Sequence, residues 1–222
     1  MYYIEQNNPW SIFLYDMVQK TSPKPRGRPR AYNPEHALAS ARDTFWQQGY
    51  SATSLDDLSE ATGMNRPSLY AAFGDKRALY LAVMDRYISV SHDAMVEALA
   101  ADIPLEQALM KVCDFALARY FPTQADAHGC FLIGTSLAEA MNDVEVREKL
   151  RAALETFDHA FEDRFKVAKK RGEIPADSKP AVLAKLASAI IHTLAMRSRA
   201  GDTKASLRAT AMAGMKMICA SG

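Results

Sequence analysis

Cysteine is scarce in this 222-residue chain: Cys113, Cys130 and Cys219 are an odd number, widely spaced and without a C-x-x-C pair. That excludes a disulfide framework and suits a reducing cytoplasm. Long apolar runs are missing too. No stretch approaches the roughly 18 uninterrupted apolar residues of a membrane span, so no membrane partner is expected. There is no internal repeat and no low-complexity tract. The first 19 residues have only Glu5 and Asp16 as charges, an acidic front that does not suit a secretory signal. Net charge is small at +1, which by itself speaks against a nucleic-acid partner.

Its distribution reverses that impression. Residues 20–87 carry ten basic and seven acidic side chains, whereas residues 88–222 carry 17 of each. The excess begins in Lys20-Thr-Ser-Pro-Lys24-Pro-Arg26-Gly-Arg28-Pro-Arg30, whose prolines forbid a helix and favour an extended arm. Arg28 and Arg30 lie along a thin backbone suited to an A·T-rich minor groove. A solubilising linker is the alternative for such a run in isolation.

Residues 53–77 are punctuated for two short helices and the start of a third. Ser54 with Asp57 makes a capping-box pair, Leu55 and Leu58 supply an apolar face, and Gly63 can end the helix at positive φ. Asn65 caps the next helix, with Pro67 tolerable in its first turn. Leu69 and Phe73 turn inward and leave Arg66, Ser68, Tyr70 and Ala71 to a ligand; Gly74 stops the helix and Asp75 caps the third. This is helix-turn-helix spacing, which presents the second helix to the major groove of DNA.

The strings Gly49-Tyr50-Ser-Ala-Thr53-Ser54-Leu-Asp-Asp-Leu, Ala61-Thr-Gly63-Met-Asn-Arg-Pro-Ser-Leu69-Tyr70-Ala-Ala-Phe73 and Gly74-Asp-Lys76-Arg-Ala-Leu79 resemble the TetR/AcrR family of bacterial repressors, over about Asn33 to Tyr87. One departure is Ala71-Ala72, where many members carry an aromatic residue or histidine; it leaves more room for contact with thymine methyls. The resemblance implies an all-α fold. Residues 1–32 would be a flexible extension with the basic arm, 33–80 a three-helix DNA-binding domain, and 81–222 a ligand-binding and dimerisation domain. On DNA, Arg28 and Arg30 are expected in the minor groove, and Thr53, Tyr70 and Lys76 on phosphates. Arg66, Pro67, Ser68 and Ala71 are expected at base edges, with Arg66 reading a guanine.

From Asp75 onward the periodicity is helical throughout. Helices are expected over Lys76 to about Ala100, Pro104 to Tyr120, Phe131 to Ala140, a long one holding Leu150, Leu154, Phe157, Phe161 and Phe165, then 180–200 and 203–220. The last pair is richer in apolar residues than a surface helix needs. The resemblance makes it an intermolecular four-helix bundle, with Leu183, Leu186, Ile190, Leu194, Leu207, Met212 and Met215 at a homodimer interface. It also implies a cavity between the middle helices for a small-molecule effector, with Phe121, Phe131, Thr135, Glu139, Phe157, Phe161 and His192 as candidate lining. No cofactor or resident metal is expected, although His128-Gly-Cys130 could form half of a metal- or thiol-sensing site. An enzyme is the rival class, but no nucleophile–base pair is recognisable. The sequence reads as a ligand-responsive repressor on a pseudo-palindromic operator, with an effector-independent architectural DNA binder as the alternative.

Overall fold

The computed structural model describes residues 33–122 and 127–220. The basic arm with Arg28 and Arg30 lies outside them, as do residues 123–126, between the fifth and sixth helices. Nine α-helices make up the described part: α1 (Pro34–Gln48), α2 (Leu55–Thr62), α3 (Arg66–Phe73), α4 (Lys76–Ala100), α5 (Leu105–Tyr120), α6 (Phe131–Glu139), α7 (Val144–Arg171), α8 (Pro180–Arg199) and α9 (Lys204–Ala220).

Their ends follow from local chemistry. Ser54 and Asp57 form a reciprocal capping box, and Gly63 closes α2 in the left-handed region at φ 66°. Asn65 and Asp75 accept from the third backbone N–H of α3 and α4, at 2.9 and 2.7 Å. Asp143 caps α7, which runs 28 residues to Gly172 behind Lys169, Lys170 and Arg171. The N-terminus of α5 has only Pro104 at its cap position. Glu173, beyond the end of α7, supplies the missing acceptor, taking the Leu105 N–H at 2.5 Å. Its partner Arg164 is almost fully buried, bonds Glu173 at 3.2 Å and donates to the Ile103 carbonyl at 3.0 Å.

Helices α1 to α3 and the first turns of α4 form a head around Phe45, Leu58, Leu69, Leu79 and Tyr80. The body core is drawn from α4, α5, α7, α8 and α9, with Leu109, Leu117, Phe161, Phe165, Leu194, Leu207 and Met215 fully buried. Each such side chain contributes about 1.5–3 kcal/mol relative to exposure. Helix α6 joins head to body. Its Phe131 packs against Trp46, Tyr80 and Tyr87, and Thr135 hydrogen-bonds Tyr80 at 2.8 Å. Trp46 donates its indole N–H to the His128 carbonyl at 3.0 Å, and Arg199 at the end of α8 donates to the Trp46 carbonyl at 2.8 Å. Arg77, in the first turn of α4, pairs with Asp143 at 2.5 Å and Glu145 at 2.8 Å at the start of α7.

This packing corrects the expected dimer interface. Leu194, Leu207 and Met215 are buried inside one chain, so they are protomer core and cannot form a surface between subunits; Leu183 is mostly buried but borders the groove between α8 and α9. Leu186 and Met212 remain about half exposed, and Ile190 is half-buried. With Val182, Ala189, Thr193, Gly214 and Met217, Leu186 and Ile190 line an open groove between α8 and α9. That groove explains why α8 is, among the described residues, the one helix long and apolar enough to cross a membrane by length and composition. One side of it is core and the other is apolar surface.

Candidate functional site

The outer face of α3 is open. Arg66, Pro67, Ser68, Tyr70 and Ala71 are all exposed, while Leu69 anchors the opposite side. The inward set at 69 and 73 leaves this face free because residues three and four apart share one side of a helix. Arg66 is not idle. Its Nε and Nη2 donate to the two carboxylate oxygens of Asp56 on α2, at 2.7 and 2.5 Å. Both side chains are more than half exposed, so the pair is weakly held in water and can exchange for a base edge.

Lys76 lies at the first position of α4, its ammonium 4.4 Å from the centre of the Tyr50 ring. Burial lowers its pKa, with Glu139 and Asp57 opposing that shift. Thr53 does not match its expected role. Its side chain is buried, and its hydroxyl donates to the Gly49 carbonyl at 2.6 Å. It closes the α1–α2 turn and has no side-chain proton left for a phosphate.

A second feature lies in the body. A cavity of about 80 Å³, partly open to solvent, lies between α4, α5, α6, α7 and α8. Phe157, Phe161 and His192 line it, as the sequence suggests. The other four expected residues lie elsewhere. Phe131 and Thr135 belong to the head–body junction, and Glu139 is half-buried at the end of α6, accepting from Ser51 at 2.6 Å. Phe121 packs against the edge of the core just past α5. The wall instead includes Tyr87, Ser91 and Met95 of α4, Phe115, Arg119 and Tyr120 of α5, Cys130, Leu132 and Ile133 near the start of α6, and Ser188 and Ile191 of α8. Burial lowers the pKa of His192, which favours the neutral ring, while Asp158 opposes the shift. Burial raises Tyr87, and nearby Cys130 adds to that shift.

His128 and Cys130 do not converge on a metal site. The His128 backbone bonds Tyr120 and Trp46, and Cys130 accepts from the Tyr87 hydroxyl at 3.5 Å. Among the described residues, no group of three His, Cys, Asp or Glu side chains could hold a metal ion.

Comparison with known proteins meets this geometry from outside. Residues 37–83 match the family described as bacterial regulatory proteins, tetR family, and residues 105–213 the tetracyclin repressor-like C-terminal domain. The HTH-type transcriptional repressor ComR of Escherichia coli (strain K12) is 36% identical over 185 residues, covering 80% of this chain and 85% of ComR. BdcR, an HTH-type transcriptional repressor of the same strain, is 35% identical over 117 residues, 53% of this chain and 59% of BdcR. A cysteine mutant of the TetR family regulator CifR, solved with a 26-base-pair operator DNA, superposes with a TM-score of 0.77 at 25% identity, covering 85% of this chain and 98% of CifR. An exposed helix on a capped helix-turn-helix that one family match covers, joined to a helical body that the other covers, means that the chain belongs to the TetR family of DNA-binding transcriptional regulators.

Proposed function

We propose that this chain is a cytoplasmic homodimeric repressor whose residues 33–80 hold a pseudo-palindromic operator and whose residues 81–222 dimerise and bind a small-molecule effector that releases the DNA. The observation that carries the reading is the course of α4. Its first turn lies in the head, directly after the recognition helix, and Tyr87, Ser91 and Met95 further along it line the cavity. An occupant that presses on that wall biases the angle of the head, and allostery needs only that it favour one of two head spacings. The apolar groove of α8 and α9 is the surface for the second copy, and two-fold symmetry lets the heads meet half-sites one helical turn or a multiple apart. Arg66, Pro67, Ser68 and Ala71 face base edges in this reading, with Tyr70 and Lys76 on phosphates. ComR and CifR, named as a repressor and as an operator-bound regulator, support it by relationship.

The test is fluorescence anisotropy with DNA from upstream of the protein's own gene against a scrambled duplex, at two salt concentrations. Strong preference for the upstream DNA supports a sequence-specific repressor that acts on its own gene. Equal, steeply salt-dependent binding to both duplexes supports the architectural alternative. No binding at low salt refutes DNA recognition.

A further inference from the structure

The cavity has a mostly apolar wall yet contains two buried polar atoms without a partner: Nε of Arg119 and the hydroxyl oxygen of Ser91. They come from neighbouring walls, α5 and α4. Buried polar groups are almost always hydrogen-bonded, so two orphans in one cavity call for an explanation. Arg119 is the stronger signal. Its guanidinium lies over the Tyr87 ring at 4.6 Å and the Phe115 ring at 5.6 Å and interacts with the Tyr87 hydroxyl, which fixes the fork but leaves Nε without an acceptor. No carboxylate among the described residues lies within ion-pair distance of it. Asp43, which shares a surface groove with Arg119, is paired with Arg42 at 2.7 Å. Arg164, the other arginine facing the body core, shows the usual arrangement, with Glu173 and a carbonyl both in place.

Near His192 the character is reversed: Asp158, behind the wall, accepts from Ser188 at 2.5 Å, and burial favours the neutral His192 ring. A ligand that completes this site carries its anionic end toward α4 and α5 and an apolar body toward Phe157 and Ile191. We propose that the effector is an organic carboxylate with an aromatic or branched apolar body, held by a charge-assisted hydrogen bond from Arg119 with Ser91 donating to the second oxygen. The site also explains how such an occupant is felt. Arg119 borders the groove that contains Arg42 and Trp46 of the head and rests on Tyr87 of α4, so drawing its guanidinium inward moves groups tied to the DNA-binding unit.

The test is isothermal titration calorimetry of the whole protein, without DNA, using 4-phenylbutyrate and its uncharged isostere 4-phenylbutyramide. The acid is expected to bind about tenfold or more tighter than the amide. Arg119→Gln is expected to erase that preference and Ser91→Ala to reduce it, with helical circular dichroism showing that both variants fold. Equal or tighter binding of the amide by the unaltered protein overturns the proposal, without relying on any variant. So does binding of neither compound at millimolar concentration, or a preference that survives Arg119→Gln. The proposal rests on the effector reading but fails separately from it. Operator binding without carboxylate binding rejects only the ligand class, and carboxylate binding that leaves the operator complex intact rejects only the effector reading.

Discussion

Replacing Asp143 removes two interactions whose sizes can be separated. Its carboxylate caps α7, accepting from Glu145 N at 2.9 Å and Val146 N at 3.2 Å, and it holds Arg77 at the start of α4 through two hydrogen bonds of 2.5 and 2.9 Å. Loss of an N-cap costs about 1 kcal/mol. The ion pair is partly solvent-exposed and adds roughly 0.5–1 kcal/mol, so Asp143→Ala should cost about 1.5–2 kcal/mol. Asp143→Asn keeps a cap acceptor but loses the charge, and should cost only the pair. Urea unfolding at pH 7 and fixed protein concentration measures both. Equal losses in the two variants would put the whole effect in the ion pair, and a loss below about 0.5 kcal/mol for Asp143→Ala would refute both assignments. The pH dependence adds an independent check. Arg77's hydrogen bonds hold the Asp143 carboxyl down at about 2, against the opposing effect of desolvation and with help from the two capped N–H groups. Because that value lies below the unfolded one, the contribution is complete above the ordinary aspartate range. It is lost as pH falls through that range toward about 2. The gap between the unaltered protein and Asp143→Ala should therefore narrow only below about pH 4.

The same geometry sets four further outcomes. Glu173→Ala leaves Arg164 buried without its partner and Leu105 N–H uncapped, and should cost about 3 kcal/mol by urea unfolding, with Glu173→Gln milder. Gly129→Ala places a Cβ 2.6 Å from the Ala195 carbonyl oxygen at φ 66°, and should lower the melting temperature by several degrees, a loss of about 2 kcal/mol. Arg66→Ala should lose roughly 1–3 kcal/mol on the true operator and relax one base preference in an anisotropy competition, whereas Asp56→Ala frees Arg66 and should tighten binding; an equal Arg66→Ala loss on all sequences would reassign Arg66 to phosphate. Leu186→Glu puts a charge in the α8–α9 groove and should shift the protein to monomers in sedimentation, and an unchanged dimer would move the interface elsewhere.

Helix ends were the most legible part of the fold because they depend on neighbours in sequence: Ser54 with Asp57, Asn65 with Ser68, Asp75 with Ala78. Helix facing was legible only where a polar side breaks the pattern, as in α3. Helix α6 is apolar nearly all round, so nothing in its periodicity says that Leu132 and Ile133 meet the cavity while Phe131 turns to the head. The α8–α9 pair had the same ambiguity: Leu183 and Leu186, three residues apart, both border the groove, yet Leu183 is buried and Leu186 half exposed. Arg119 gave no sequence signal. Its importance lies in what fails to approach it, and that is set by packing between distant helices. Glu173 likewise caps a helix 68 residues away, beyond any local rule.

Arg199 ends the helix that lines the apolar α8–α9 groove, and its guanidinium reaches both the Trp46 carbonyl in α1 and the Gly134 carbonyl in α6. Helix α8 is therefore a strut fixed to the head at one end and carrying the strip proposed to face a second copy along its side. In the proposed reading, the wall of the cavity can then accept substitutions that change which molecule is sensed, while the strut and its attachment to the head stay as they are. Signal and address are separable in this architecture, and a lineage could exchange one without rebuilding the other.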